Sequence, residues 1–394
     1  MSAESKMKNF IFENRTRIYF GKGCVKEYLA SLLKGYSTVM FAYGCGSIKR
    51  NGIYDEILSI LQRERKNIVE FPGIMHNPTY EKVLEGIRIA RENKAEIILG
   101  AGGGSVMDCC KAVALGTVYE GDIWKDFWER SGIIDFALLP LGVIVTTGGS
   151  GSECNGVSVL TNEGQNVKTG QDYEKCSPGF ALIDPVYTFS ESRQQMLSGG
   201  IAALSHVMEI YFSQPDEDNV SDDISEALMR SLIRNLRIAG RDPKDYEARS
   251  NLLWAAAMAK NRIIKAGKRG DFICRQMERQ LESCTGCSHG LGAAVLRPVY
   301  YRNIVKNHPA KFARFAAEVW EIPRRERTLE EMAAAGVDAM TAFIREFGLP
   351  ATLRELGIND PAMLKKIAED CCATAGSYRA MEHEEMEKIL LECF

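Results

Sequence analysis

The strongest constraint on the fold of this chain is a glycine cluster that lies between a predicted strand and a predicted helix. Residues 95–99 (AEIIL) have the pattern of a buried strand, residues 102–105 (GGGS) follow, and a helical pattern begins near Val106. Glycines at such a turn let backbone N–H groups approach a phosphate, and the helix N-terminus favours negative charge. The cluster therefore predicts a phosphate-binding loop, with Asp108 close behind it in the helix. A plain tight turn remains the alternative.

The rest of the first half alternates between strand-like and helix-like segments. Residues 37–43 and 136–146 are further apolar, β-rich runs, and an amphipathic stretch covers residues 80–94. This alternation indicates a parallel sheet with helices on both faces. From about residue 190 the β-rich runs end and helical periodicity takes over. We therefore predict an α/β domain over residues 1–187 and an all-helical domain over residues 188–394, with a ligand cleft expected between them.

Two further loops follow predicted strands. The first, residues 44–50 (GCGSIKR), contains no acidic residue, although nucleotide-binding domains often place one there to hold the adenosine ribose. Its small residues, its hydroxyl and the cation of Lys49 suit a 2′-phosphate, which favours NADP over NAD. The alternative is a solvated basic turn. The second loop, residues 146–153 (TTGGSGSE), offers four hydroxyls before its glutamate, together with several backbone donors.

Charge and composition exclude several classes of protein. The 394 residues include 49 Lys and Arg against 52 Asp and Glu, whereas surfaces for nucleic acid or anionic membrane need a basic excess. No apolar run reaches the roughly 20 residues of a membrane span, and residues 1–8 lack the apolar stretch of a signal peptide. We therefore predict a cytoplasmic protein with a small-molecule substrate, no nucleic-acid or membrane partner, and free thiols at its 12 cysteines.

Several motifs, in order and spacing, resemble those of the iron-containing (group III) alcohol dehydrogenases, especially the NADP-dependent butanol dehydrogenase branch. The resemblance runs along nearly the whole chain, through residues 17–21 (RIYFG), 43–54 (YGCGSIKRNGIY), 102–111 (GGGSVMDCCK) and 146–153. It implies a Rossmann-like nucleotide domain joined to a helical domain that holds a divalent metal, iron or zinc. We expect an alcohol or aldehyde substrate and a homodimer, which is common for such folds.

The resemblance also implies roles for individual residues of the cofactor site. Residues around the pyrophosphate and nicotinamide would be Gly102, Gly103, Gly104, Ser105, Thr146, Thr147 and Ser150. Gly44, Gly46 and Ser47 would lie at the adenosine 2′ position, and Lys168 would reach the cofactor ribose.

The chain departs from the family pattern at the metal site. The family places an Asp and a His four residues apart on one helix, and two more His fourteen residues apart. Here the first pair is Ala202 and His206, and the second is Arg275 and His289. A further family histidine is replaced by Arg279. His206 and His289 are therefore the remaining candidate metal ligands.

Three interpretations of the altered site remain open. His206 and His289 could be two histidines with purely structural hydrogen bonds. Substitute metal ligands could come from nearby residues, namely Glu209, Glu278, Glu282, Cys274, Cys284 and Cys287, and the spacing Cys284-x-x-Cys287-x-His289 has the residue types of a zinc site. Arg275 could instead occupy the place of the metal and bind a carbonyl or carboxylate directly, because a guanidinium is always charged and presents a planar fork of donors. In that case Arg275 and His289 are the candidate catalytic residues.

The sequence supports two functions from different classes. The first is an NADP-dependent oxidoreductase that interconverts an alcohol and an aldehyde or related carbonyl. The second is a nucleotide-binding paralogue that has lost catalysis and has a regulatory or structural role. The intact cofactor motifs favour the first and the missing ligands favour the second. A metal-dependent lyase or synthase on the same fold is disfavoured, because it too needs the metal.

Overall fold

The computed structural model describes residues 7–165, 167–215, 218–371 and 376–394. The chain forms two compact units. One unit is Glu13–Glu191, and the other joins Ser192–Phe394 with the N-terminal residues up to Phe12. Within the described residues, no helix is both long enough and apolar enough to cross a membrane.

The first unit is built on a parallel sheet. Its strands are β1 (Arg17–Phe20), β2 (Thr38–Gly44), β3 (Asn67–Ile74), β4 (Ile97–Gly102), β5 (Leu141–Val145) and β8 (Phe180–Ile183). They run in the order β1-β8-β5-β4-β2-β3, and every neighbouring pair is parallel. An antiparallel hairpin of β6 (Val157–Asn162) and β7 (Val167–Asp172) lies outside the sheet. The predicted strand at 136–146 is shorter than expected, because its regular part begins only after Pro140, which has no N–H to donate.

Helices cover this sheet, as the continuous apolar character of its strands requires. They are α1 (Cys24–Leu32), α2 (Ser47–Arg50), α3 (Ile53–Arg63), α4 (Tyr80–Glu92) and α5 (Gly104–Val118). Val39, Phe41 and Tyr43 of β2 pack in one apolar cluster with residues of α1 and α3. Gly100 of β4 faces α5, since a Cβ there would lie 3.0 Å from the Cys110 sulfur. The helices therefore pack closely on the sheet. The predicted cofactor loops follow the carboxyl ends of β2, β4 and β5.

The second unit is helical. Its helices are α6 (Arg193–Tyr211), α7 (Val220–Arg241), α8 (Tyr246–Lys260), α9 (Ile273–Thr285), α10 (His289–Ile304), α11 (Pro309–Glu318), α12 (Leu329–Arg345), α13 (Ala362–Glu369) and α14 (His383–Glu392). Helix α6 begins with a capping box in which Ser192 and Gln195 exchange side-chain and backbone hydrogen bonds. The predicted fold class, a parallel-sheet α/β domain followed by a helical domain, is confirmed.

Candidate functional site

Two of the predicted cofactor loops pack against each other at the carboxyl edge of the sheet. The N–H of Thr146, just after β5, donates to the carbonyl of Gly102 at 3.0 Å. A Cβ on Gly103 would lie 2.1 Å from Thr147 Oγ1, and one on Gly104 would lie 2.8 Å from Ser150 Cβ. The glycines are therefore needed for this close approach, and they leave backbone N–H groups accessible where side chains would otherwise stand.

The same loop leads into helix α5. Gly103 is extended, the helix begins at Gly104, and neither residue has a side chain that could cap it. The first N–H groups of a helix have no partner within the helix, and the helix dipole places partial positive charge there. Together with Ser105 in the first turn, these groups fit an anionic phosphate.

Asp108, a predicted cofactor residue, is bound to the protein in this structure. Its Oδ1 accepts from Ser152 Oγ at 2.6 Å and its Oδ2 accepts from the N–H of Val159 at 3.0 Å. One turn further along α5, buried Lys111 donates to the carbonyls of Ser152 and Val157 at 2.7 and 2.8 Å. These side chains attach α5 to β6 and to the loop after β5, a structural role that the sequence did not indicate.

The predicted adenosine loop joins β2 to α2. Gly44 ends the strand, Gly46 has a φ of 107° that favours glycine, and Ser47 begins the helix. The exposed Lys49 ammonium lies 4.4 Å from the centre of the Tyr54 ring and 5.1 Å from that of Tyr43. The loop thus offers a hydroxyl and a positioned cation.

A carboxylate that the sequence analysis missed lies on the neighbouring strand. Glu70 of β3 accepts from the hydroxyls of Tyr43 and Tyr54 at 2.5 and 2.6 Å. These two hydrogen bonds are the main cause of the lowered pKa of Glu70. Glu70 lies far from the end of β2 in sequence, and parallel pairing of β2 with β3 is what brings it beside this loop.

Lys168 lies on β7 and is largely buried. Its ammonium donates to Asn77 Oδ1 at 3.0 Å, which links the hairpin to the loop before α4. Asn77 belongs to the segment Asn77-Pro78-Thr79, whose Thr79 caps helix α4. In this structure Lys168 therefore has Asn77 as a hydrogen-bond partner. Its contact with a cofactor ribose stays a prediction.

Substitution of Gly103 by alanine is expected to weaken cofactor binding by about 10-fold or more, because the added Cβ displaces Thr147 and narrows the space for a phosphate at this loop. Gly103 has a φ of −93°, so alanine brings no backbone strain and the protein should still fold. Titration with NADPH, followed by fluorescence or calorimetry, measures the change. Gly35→Ala is the control, since a Cβ there has nothing within 4 Å. Equal NADPH affinity in the two variants would contradict the prediction that this glycine loop binds the cofactor phosphates.

The predicted metal and catalytic residues meet within the helical unit. Helix α6 supplies Ala202, His206 and Glu209 at positions that share one face. Helix α9 supplies Arg275, Glu278, Arg279 and Glu282, and α10 supplies His289 and Arg297. The rings of His206 and His289 stack with their centres 5.1 Å apart. The structure therefore brings together His206, Arg275 and His289, three of the four residues at the family's metal positions, and Ala202 lies one turn before His206 on α6.

The guanidinium of Arg275 contacts two polar residues of α6, His206 and Glu209. Its Nη1 donates to Glu209 Oε2 at 2.7 Å, and its Nη2 lies 3.0 Å from His206 Nε2. Since arginine can only donate, His206 Nε2 must accept, and the neutral ring carries its proton on Nδ1. Burial, followed by the charges of Lys260 and Arg275, holds the pKa of His206 well below its ordinary value. His206 is therefore a neutral acceptor for Arg275.

A second arginine, which the sequence analysis did not single out, lies beneath this contact. Arg297 is fully buried and donates to Glu209 at 2.5 Å and to Glu278 at 2.6 Å. Burial by itself would raise the pKa of Glu209, but Arg275 and then Arg297 lower it to about 2. Glu209 is thus ionised, and both carboxylates are bound to guanidinium groups.

His289, at the start of α10, has a different set of partners. Its Nδ1 lies 2.9 Å from Glu282 Oε1 and 3.4 Å from Glu278 Oε2. A carboxylate can only accept, so Nδ1 carries a proton and Nε2 is the acceptor in the neutral ring. That Nε2 lies 3.4 Å from the Ser205 hydroxyl, and the side chain is 21% exposed. His289 is therefore oriented by Glu282, with its Nε2 on the side of Ser205.

Within the described part of the chain, one group of side chains could hold a metal ion by distance alone. It consists of Glu209, Glu278 and His289, whose ligand atoms lie within 4.8 Å of one another. This group includes one of the two predicted ligands, His289, and two of the candidate substitute ligands, Glu209 and Glu278, but neither Cys284 nor Cys287. The alternative zinc site at Cys284-x-x-Cys287-x-His289 gains no support from it.

Two family models cover the chain in succession. The model described as "Iron-containing alcohol dehydrogenase" matches residues 15–185, and the model described as "Fe-containing alcohol dehydrogenase family, C-terminal" matches residues 196–394. Together these matches span both compact units.

Individual relatives agree with these matches. The chain is 34% identical to NADH-dependent butanol dehydrogenase A of Clostridium acetobutylicum, covering 98% of this chain and 100% of the relative. It is 31% identical to the NADPH-dependent aldehyde reductase YqhD of Escherichia coli, covering 92% and 94%. A crystal structure of NADH-dependent butanol dehydrogenase A from Thermotoga maritima superposes with a TM-score of 0.92 at 33% identity, covering 98% of this chain and 99% of that one.

Proposed function

The chain belongs to the iron-containing alcohol dehydrogenase family, and we propose that it interconverts an alcohol and an aldehyde or related carbonyl by hydride transfer with NADP(H). The observation that carries this proposal is the pair of packed loops in which Gly103 and Gly104 lie against Thr147 and Ser150. These loops and the open start of α5 fit the pyrophosphate of a nicotinamide dinucleotide, which supplies the hydride chemistry when it is bound.

The preference for NADP over NAD rests on the loop after β2. Ser47 and Lys49 offer a hydroxyl and an ammonium, and the nearby Glu70 carboxylate already accepts two tyrosine hydrogen bonds. A ribose with a free 2′-hydroxyl usually receives an acidic partner at this position, whereas a 2′-phosphate needs a cation. The relatives do not decide the matter, since their names include both NADH-dependent and NADPH-dependent enzymes.

Replacement of Lys49 by glutamate tests this preference. We expect the ratio of kcat/KM for NADPH to that for NADH to fall by about 10-fold or more, because a cation beside the 2′-phosphate becomes an anion. Steady-state aldehyde reduction with each cofactor gives the ratio. Lys34→Glu makes the same charge change before β2, at the opposite edge of the sheet, and should leave the ratio as it is. A native enzyme that prefers NADH would contradict the assignment.

At the substrate end, we propose that the Arg275 guanidinium takes the place of the family's metal ion. The residues present do not fit a divalent cation at that position. Ala202 has no ligand atom, and Arg275 Nη2 lies beside the His206 nitrogen that would bind the ion. The Glu209 and Glu278 oxygens that could replace the missing ligands accept from Arg297. A guanidinium can polarise a carbonyl oxygen by hydrogen bonding, although less strongly than a metal ion.

The neighbouring residues then have defined tasks. Glu209 and His206 accept from Arg275 and hold its guanidinium in one orientation. A carbonyl oxygen that accepts from the same guanidinium gains negative charge as the carbonyl is reduced, so this contact strengthens in the transition state. His289, held by Glu282, can supply the proton that converts this oxygen to a hydroxyl.

The proposed function is tested by turnover of the purified full-length protein on a panel of aldehydes, with NADPH and with NADH. We expect NADPH-dependent reduction and a rate on simple aldehydes below that typical of metal-dependent enzymes, since the guanidinium is the weaker electrophile. Turnover that requires added metal would refute the role of Arg275.

One observation favours the second candidate, a paralogue without catalysis. The buried Nδ1 of His206 has no hydrogen-bond partner among the residues that the structure describes, as expected where a ligand position has lost its function. The same aldehyde panel discriminates between the candidates. NADPH binding with no turnover on any aldehyde or alcohol would support the paralogue.

A further inference from the structure

Helix α9 carries two arginines, Arg275 and Arg279, one turn apart on the same face. Like charges four residues apart repel each other and destabilise a helix unless another group compensates them. Arg275 is compensated, because it donates to Glu209 and to His206. By the same argument, Arg279 needs a compensating anionic group of its own.

Arg279 makes no hydrogen bond or ion pair with any of the residues that the structure describes, although it is partly buried. Burial, followed by repulsion from Arg275, lowers the pKa of its guanidinium to about 10. Charged groups in such surroundings are normally paired. Because its donors have no acceptor among the described residues, the Arg279 guanidinium can bind an anion from outside the chain.

The carboxylates nearest to Arg279 are bound to other donors. Glu209 accepts from Arg275 and Arg297. Glu278 accepts from Arg297, and Glu282 lies against His289 Nδ1. These three carboxylates raise the pKa of Arg279 through their charge, but none of them accepts a hydrogen bond from its guanidinium.

We propose that Arg279 binds a carboxylate of the substrate, so that the enzyme acts on a short aldehyde acid or 2-oxo acid rather than on a neutral aldehyde. This inference rests on the proposed function, in which Arg275 holds the carbonyl oxygen. One helical turn separates Arg275 and Arg279 along α9, a spacing that a molecule with its carbonyl and carboxylate a few bonds apart can bridge. Guanidinium and carboxylate also match as a bidentate pair.

The reaction leaves the carboxylate unchanged. The carbonyl carbon gains a hydride from NADPH, the carbonyl oxygen gains a proton held at His289, and the product is a hydroxy acid with NADP⁺. Arg279 would then be a specificity-determining residue whose partner is the unreactive end of the substrate.

The binding test uses malonate, a dicarboxylate that cannot be reduced, and calorimetry on the full-length protein. We expect saturable binding that weakens by about 30-fold in Arg279→Gln, since a charge-assisted bidentate contact is lost. Arg279→Lys should recover part of the affinity. Arg237→Gln, a surface arginine paired with Glu346, is the matched control and should bind like the native protein. Failure of the native protein to bind malonate, equal binding by Arg279→Gln, or equally tight binding of inorganic phosphate would overturn the proposal.

The kinetic test compares succinic semialdehyde and glyoxylate with butyraldehyde as substrates. We expect kcat/KM to favour the acids, and Arg279→Gln to raise KM for the acids much more than it lowers kcat. A preference for butyraldehyde would overturn the substrate assignment while leaving the redox function intact. If no carbonyl is reduced, the redox function fails, and malonate titration of Arg279→Gln alone decides whether the carboxylate site exists.

Discussion

Replacement of Arg275 by glutamine is expected to lower kcat/KM for carbonyl reduction by about 10²–10³-fold, the usual effect of removing one donor to a developing oxyanion. The loss should appear mainly in kcat, because the contact with the carbonyl oxygen strengthens as charge develops. Steady-state kinetics with saturating NADPH measure it.

A lysine variant at the same position separates the effect of the positive charge from that of the planar guanidinium. Arg275→Lys keeps the positive charge but cannot donate to Glu209, His206 and a carbonyl oxygen with one planar group. We expect it to recover less than about a tenth of the lost activity. NADPH affinity, measured separately, should be retained in both variants, because the proposed cofactor loops lie in the other unit of the protein. A glutamine variant with native kcat/KM would show that Arg275 does not act on the substrate.

Replacement of Arg297 by methionine is expected to lower the free energy of unfolding by about 3–5 kcal/mol, because the change leaves buried Glu278 without its guanidinium partner and Glu209 with Arg275 alone. The low pKa of Glu209, about 2 in the native protein, should rise in this variant. Denaturant unfolding followed by circular dichroism gives the free energy.

Arg237→Met is the matched surface control. Its ion pair with Glu346 is about 42% exposed on both sides, and such pairs contribute about 1 kcal/mol or less. An Arg297 variant as stable as this control would mean that the two buried carboxylates are neutral or have other partners.

The sequence predicted the features that depend on neighbouring residues along the chain. The glycine loop before α5 was recognisable because strand, turn and helix follow directly in sequence. The family spacing likewise placed Ala202, His206, Arg275 and His289 at one site, and the structure brings His206, Arg275 and His289 together. Membership of the family and the fold class are both confirmed.

The features that were not predicted depend on contacts between distant segments. Arg297 looks like an ordinary residue of α10, and only the packing of α6, α9 and α10 brings it to Glu209 and Glu278. Glu70 similarly reaches the adenosine loop through strand pairing rather than sequence position. Glu209, by contrast, was a candidate substitute ligand from the sequence, because it lies three residues after His206 and therefore on the same helical face.

The replacement of the metal by Arg275 is tested most directly by metal content. Native protein, purified without oxygen and incubated with iron, zinc and manganese, is compared by elemental mass spectrometry with the double variant Ala202→Asp/Arg275→His. We expect no stoichiometric metal in the native protein, turnover that resists chelators, and metal binding gained by the double variant. A stoichiometric ion in the native protein whose removal abolishes turnover would contradict the account.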